Sequence, residues 1–123
     1  MIVDDSQMMR RLLMRTLALE GDYEFVEAEG ASDAVKKLGQ ALPDLILLDI
    51  GLGEVSGFDL LRSLKGNKTT AAIPVIVCTA SGGSATVEQA DRLGAAGYVP
   101  KPISTKALRE QVRRLLDPDA DEK

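Results

Sequence analysis

Short apolar runs alternate along this chain with stretches of helical periodicity, and that alternation limits the fold more than any other feature. Leu45 to Leu48 is the clearest run. Four apolar residues in a row after Pro43 and Asp44 suit a strand covered on both faces, and the run closes on an acid, Asp49. Ile73 to Cys78 reads the same way, while Met1 to Val3, the Tyr23, Phe25 and Val26 group, and Tyr98 with Val99 are shorter strand candidates. Met8, Met9, Leu12, Leu13 and Leu17 mark the first helical stripe. Ala34, Val35 and Leu38 mark the second, with Ser32 as the expected cap. Phe58, Leu61 and Leu64 give the third, and Val87, Ala90 and Leu93 the fourth, which stops at Gly94. Leu108, Val112, Leu115 and Leu116 give the last, capped by Ser104. Parallel strands need right-handed crossovers, which the helices supply, so the pattern predicts a doubly wound α/β fold around a five-stranded parallel sheet. The strand order 2-1-3-4-5 is common for such sheets and puts strands one and three side by side.

Length and charge narrow the function. The 123 residues are one domain's worth, read as a domain over 1–116 and an acidic tail over 117–123. Lys and Arg total 15 against 19 Asp and Glu, and the tail carries most of the excess, so the body is nearly neutral. A phosphate backbone calls for clustered positive charge, so nucleic acid is not an expected direct partner. No apolar stretch approaches the ~18 residues of a membrane span, and no leader pattern opens the chain, so the expected location is the cytoplasm. One cysteine and no histidine exclude an internal disulfide, histidine-based triads and the common zinc sets. Chemistry here must run on carboxylates, hydroxyls and amines.

The acids fall where such chemistry would sit. In the expected order, Asp4 and Asp5 end strand one and Asp49 ends strand three, on neighbours ~4.8 Å apart. Three converging carboxylates repel one another, and a hard divalent cation lets all of them ionise. Thr79 ends strand four and Lys101 follows strand five on the same rim. Taken singly, each acid is as readily a helix cap or a strand end, Thr79 a β-former and Lys101 a solvated lysine; the joint pattern carries the reading. Tyr98 alone reads as a half-buried strand aromatic. Cys78 reads as core, and Met8, Met9 and Met14 as helix packing.

Six pieces in this order, Val3-Asp4-Asp5-Ser6, Pro43 to Ile50, Gly57-Phe58-Asp59, Ile73-Pro74-Val75-Ile76, Thr79-Ala80 and Gly97 to Pro102, are weak singly and specific together. Across essentially its whole length the chain resembles the flavodoxin-like receiver domains of two-component response regulators. The resemblance implies a signalling switch, not an enzyme: Asp49 accepts a phosphoryl group from a histidine kinase or histidine phosphotransfer protein, and a changed surface then engages a downstream effector. It implies Mg²⁺ held by Asp5 and Asp49, by Asp4 largely through water, and by the Gly51 carbonyl. It implies phosphoryl contacts from Lys101, the Thr79 hydroxyl and the Ala80 N–H, and a Tyr98 ring that changes rotamer as Thr79 moves. A homodimer through the fourth and fifth helices is one arrangement the family allows.

Departures from the family pattern set further expectations. Gly53 stands where the family usually has proline, so with Gly51 and Gly57 the loop after the acceptor is expected to be mobile. Only Met1 to Val3 precede Asp4, short of the ~5–6 residues usual for a strand, which predicts a weakened sheet centre and a trimmed or late start. A free-standing receiver and the receiver piece of a larger regulator both fit. Lys101-Pro102 is expected cis, since a tight turn there keeps the lysine at the rim. Three other readings fit less well. A dehalogenase-like phosphohydrolase wants its two acids spaced two apart, an inert receiver-like module typically loses an acid or the lysine, and a flavodoxin needs a Gly or Thr phosphate nest that Asp5-Ser6-Gln7 lacks.

Overall fold

The computed structural model describes residues 1–51, 57–80 and 83–116. Gly53 and the acidic tail, both singled out by the sequence, lie outside the described residues. Five strands alternate with five helices: β1 (Ile2–Val3), α1 (Gln7–Ala18), β2 (Glu27–Ala28), α2 (Ala31–Leu38), β3 (Ile46–Leu48), α3 (Gly57–Gly66), β4 (Val75–Thr79), α4 (Ser84–Arg92), β5 (Gly97–Pro100) and α5 (Thr105–Leu116). The strands form one parallel sheet, as the pattern predicts, in the expected common order β2-β1-β3-β4-β5.

Alternation along the central strands divides the core into two layers. Val3, Ile46, Leu48, Val75 and Val77 face Leu60, Leu61 and Leu64 of α3, with Ala34 of α2 and Ala90 of α4. Ile2, Leu47, Ile76 and Cys78 face the other way, onto Leu13 and Leu17 of α1 and Leu108 and Val112 of α5. Both faces are covered, so β3 and β4 consist of apolar residues almost throughout. Cys78 is core as expected, and burial pushes its thiol up to about 12, which leaves it unreactive.

Local signals fix the helix ends. Ser6 Oγ accepts from the Met9 N–H at 3.2 Å and caps α1, and Ser104 Oγ does the same for α5 from Ala107 at 3.3 Å. Past the end of α4, Gly94 takes φ +95°, a left-handed conformation that glycine adopts freely, under the aliphatic stem of Lys65.

Three expectations need correcting. The cap of α2 is Gly30 and not Ser32: the Asp33 carboxylate accepts from the Glu29 N–H at 3.1 Å, which starts the helix at Ala31 and leaves Ser32 exposed within it. Pairing in β2 is confined to Glu27 and Ala28, two residues beyond Phe25, because its only neighbour, β1, offers just Ile2 and Val3. Met8 and Leu12 project from α1, 81% and 44% exposed, while Met9, Leu13 and Leu17 form the stripe that packs. Among the described residues no helix is long and apolar enough to cross a membrane.

Candidate functional site

Parallel strands all end at the same rim, so the residues that follow them converge without any loop having to reach across. Asp4 N–H donates to the Ala28 carbonyl at 3.1 Å and Asp49 N–H to the Val3 carbonyl at 2.9 Å, each extending its ladder by one bond. The sheet itself thereby sets both side chains. Asp4 is 1% and Asp49 7% exposed, whereas Asp5 points outward, and one carboxylate oxygen from each of the three lies within 4.8 Å of the others.

Lys101 closes the cluster. Its backbone N–H donates to the Thr79 carbonyl at 2.9 Å, and the next peptide bond, to Pro102, is cis. The ammonium reaches Asp4 Oδ2 at 2.9 Å and Asp49 Oδ2 at 3.2 Å. Burial alone would depress this ammonium. The hydrogen bond to Asp4 and the charges of Asp4 and Asp49 outweigh that cost, and its pKa is raised above the ordinary lysine value. Lys101 thus bridges two of the three acids, Asp4 and Asp49. The donor set, all carboxylate oxygen at this spacing, fits a hard divalent cation.

The other residues of interest take distinct places. Gly51 N–H donates to Asp49 Oδ1 at 2.9 Å, so both oxygens of that carboxylate are engaged. Thr79 is buried at the end of β4, and Ala80 is exposed directly after it. Tyr98 pairs with Val77, two residues short of the rim; its ring packs in the layer on the α3 side, and its hydroxyl is buried without a hydrogen bond among the described residues.

Two supporting residues escaped the sequence reading. Arg10 is 6% exposed, donating from Nη1 to the Asp4 carbonyl at 2.7 Å and from Nε to Glu27 Oε1 at 3.0 Å, so it braces the turn that presents Asp4 and Asp5. Lys37 donates in turn to the Glu27 carbonyl. The available signal was spacing: Arg10, Leu13 and Leu17 share one helical stripe, and an arginine on a buried stripe needs partners. In the sequence Gly57 reads only as part of a motif and of a glycine-rich loop. A Cβ there would lie 2.2 Å from Ile50 Cα and 2.7 Å from the Asp49 carbonyl oxygen, so α3 begins tightly against the backbone of Asp49 and Ile50, with Gly57 N–H donating to the Ile50 carbonyl at 2.9 Å.

Comparison with known proteins agrees with this arrangement. The family model described as the response regulator receiver domain matches residues 1–113. The chain is 32% identical over 117 residues to the chemotaxis protein CheY1 of Helicobacter pylori, covering 94% of each. It is 37% identical over 116 residues to the phosphate regulon transcriptional regulatory protein PhoB of Pseudomonas aeruginosa, covering 94% of this chain and 50% of that protein. Among solved structures, the receiver domain of NtrX from Brucella abortus matches with a TM-score of 0.85 at 30% identity, over 94% of this chain and 96% of that one. A CheY-like receiver domain protein from Methanospirillum hungatei matches at 0.84 and 26%, over 99% and 95%. Fold, rim chemistry and kinship coincide, and the chain belongs to the receiver domains of two-component response regulators.

Proposed function

We propose that the domain, over residues 1–116 ahead of its acidic tail, is a cytoplasmic phosphoacceptor switch that takes a phosphoryl group from a phosphohistidine donor onto Asp49. The observation that carries the reading is the Lys101 ammonium held between Asp49 and Asp4, beside a third acid, at the end of a parallel sheet. An Asp49 oxygen attacks the phosphorus in line. The new O–P bond forms as the P–N bond to the donor imidazole breaks, and the electron pair leaves with the imidazole nitrogen, which is then protonated.

Positioning and charge neutralisation do most of this work. Asp5 and Asp49, Asp4 through water, and the Gly51 carbonyl would hold Mg²⁺, which supplies positive charge to the phosphoryl oxygens when bound. Lys101 has three donors, so its ammonium can keep Asp4 and turn toward an equatorial oxygen as charge grows there. The Thr79 hydroxyl and the Ala80 N–H serve the remaining oxygens, and the small Ala80 side chain leaves room for a bulky donor protein. The domain catalyses only its own phosphorylation and dephosphorylation.

The output is a population shift. Phosphorylation adds contacts for Thr79 and Lys101 in one of two loop arrangements and moves the equilibrium only by that difference. Tyr98 would follow Thr79, changing the surface of α4, β5 and α5 that meets a downstream effector or, in a homodimer, a second copy.

Incubation with Mg²⁺ and phosphoramidate, a small P–N donor, followed by intact mass measurement, tests the reading. The wild type should gain one phosphoryl group, Asp49→Asn none, Asp5→Ala little, and Asp4→Ala an intermediate amount. Adduct formed in Asp49→Asn at the wild-type level, or no adduct in the wild type, overturns the proposal.

A further inference from the structure

The acid at position 27 breaks the pattern of its strand. Glu27 is the register partner of Ile2 in the parallel ladder, and side chains alternate between faces along each strand, so Glu27 shares the face on which Ile2 packs with Leu13 and Leu17 of α1. A carboxylate on that face needs a partner. Arg10, on the same helical stripe as the two leucines, supplies it, with Nε donating to Glu27 Oε1 at 3.0 Å. The two side chains are unequally placed: that of Arg10 is 7% exposed and that of Glu27 41%. Nη1 reaches the Asp4 carbonyl at 2.7 Å only while the guanidinium stays inside, and a buried guanidinium without a counter-charge gains by turning out to water.

The two acids after β1 are held very differently. Asp4 N–H donates to the Ala28 carbonyl, its own carbonyl accepts from Arg10, Oδ1 accepts from the Ser6 N–H at 2.9 Å and Oδ2 from Lys101 at 2.9 Å. The Asp5 carboxylate, exposed at the edge of the cluster, accepts no hydrogen bond among the described residues. Only its backbone aims it, and the peptide that leads into Asp5 is the one whose carbonyl Arg10 holds.

We infer that Glu27 is a positioning residue for the cation site: it keeps the Arg10 guanidinium on the Asp4 carbonyl and so fixes the peptide from which Asp5 projects. The inference rests on the Mg²⁺ site of the proposed function, and partners behind the ligands of such a site tune its affinity. Glu27 is itself anchored from α2. Its carbonyl accepts from Lys37, which also pairs with Asp33 at 3.3 Å, and the Asp33 carboxylate accepts from the Glu29 N–H at 3.1 Å. Charge-assisted hydrogen bonds thus run from α2 through β2 and α1 to the rim.

The test uses the full chain with Glu27→Met, Glu27→Gln, Arg10→Met, and Arg10→Met combined with Glu27→Met. The Glu27 side chain is two-fifths in water, so neither single change there threatens the core. Isothermal titration with Mg²⁺ alone should show Glu27→Met binding about three- to tenfold more weakly than the wild type. Glu27→Gln loses the same charge and keeps an acceptor oxygen, so it should retain most of the affinity. Adding Glu27→Met to Arg10→Met should change affinity by less than about twofold, because the guanidinium through which Glu27 acts is already gone. In the metal-free protein, amide exchange at Ser6 should quicken several-fold in Glu27→Met and stay near wild type in Glu27→Gln. Equal losses in Glu27→Met and Glu27→Gln, or losses at Arg10 and Glu27 that add in full, would assign the effect to charge acting at a distance and overturn the inference. Mg²⁺ bound equally by wild type and Glu27→Met overturns the inference alone, whereas no Mg²⁺ binding by the wild type overturns the proposed cation site and this inference with it.

Discussion

The two ends of the sheet solve opposite problems. At the carboxyl end, Asp4, Asp49 and Lys101 are drawn out of water into mutual contact, and the backbone N–H of each donates to a strand carbonyl. At the amino end apolar side chains such as Leu17, Tyr23, Phe25 and Leu42 line a cleft together with Asp22, Glu24 and Asp44, and Val26 and Leu42 stay 40% and 51% exposed. Burial and hydrogen bonding of the strands hold the fold together in between. The contrast separates the two demands on one sheet: a rim that gathers three acids around a lysine is a poor contributor to stability and a good receptor for cations, whereas a rim of half-exposed apolar side chains merely forgoes stability.

Substitutions at the two rims should therefore differ in kind as well as size. Gly57→Ala should have the largest effect on folding, at least about 3 kcal/mol, because its Cβ meets backbone atoms of Ile50 and Asp49 that cannot step aside. Phosphoryl acceptance should fall with it, since the atoms displaced belong to Asp49, the proposed acceptor, and to its neighbour Ile50. Urea unfolding beside adduct yield checks both; a variant as stable as the wild type would show that α3 docks less tightly than described.

Lys101→Met should cost about 1–2 kcal/mol at neutral pH, less than a fully enclosed pair because the rim is within reach of solvent. Its pH dependence has a definite sign. The folded-state pKa of Lys101 is raised, so its contribution is complete below the ordinary value of 10.5 and is lost as pH rises through the folded-state value. The gap in unfolding free energy between wild type and Lys101→Met should hold from neutral pH to about 10 and shrink above 10.5. A gap that closes well below that point would mean that the ammonium is not held by the two acids.

Arg10→Met should cost about 1 kcal/mol, through the loss of two hydrogen bonds from a buried guanidinium. It should also weaken Mg²⁺ binding several-fold by loosening the Asp4–Asp5 turn, and Arg10→Lys should restore part of that affinity; isothermal titration reads the difference. At the far rim, Leu42→Ala should change stability by under about 0.5 kcal/mol, because half of that side chain is already in water. A cost comparable to that of a core leucine would show the amino end to be better packed than its cleft indicates.

Much of this was legible in the residues because it depended on period and order. Continuous apolar runs such as Leu45 to Leu48 marked strands covered on both faces, the alternation of strands and helices pointed to a parallel sheet, and the order common for such sheets is the one found. Once the order is known, the position of an acid after a strand decides which end it occupies, so Asp4, Asp5, Asp49 and Lys101 could be gathered without coordinates. What was not legible depended on who stands next to whom. The two paired residues of β2 follow from the reach of β1 and not from Tyr23 or Phe25 themselves. Gly57 looks like loop flexibility in sequence and is a close approach in space, and Arg10 declares its partners only when Glu27 and the Asp4 carbonyl are brought beside it.

The central claim is that the Lys101-bridged carboxylate of Asp49, and neither of its two acidic neighbours, is the phosphoryl acceptor. Borohydride reduction of the acyl phosphate formed with Mg²⁺ and acetyl phosphate, followed by peptide mapping, reads the site directly. The account predicts a single reduced residue, at Asp49. Label recovered at Asp4 or Asp5 in the wild type would contradict it.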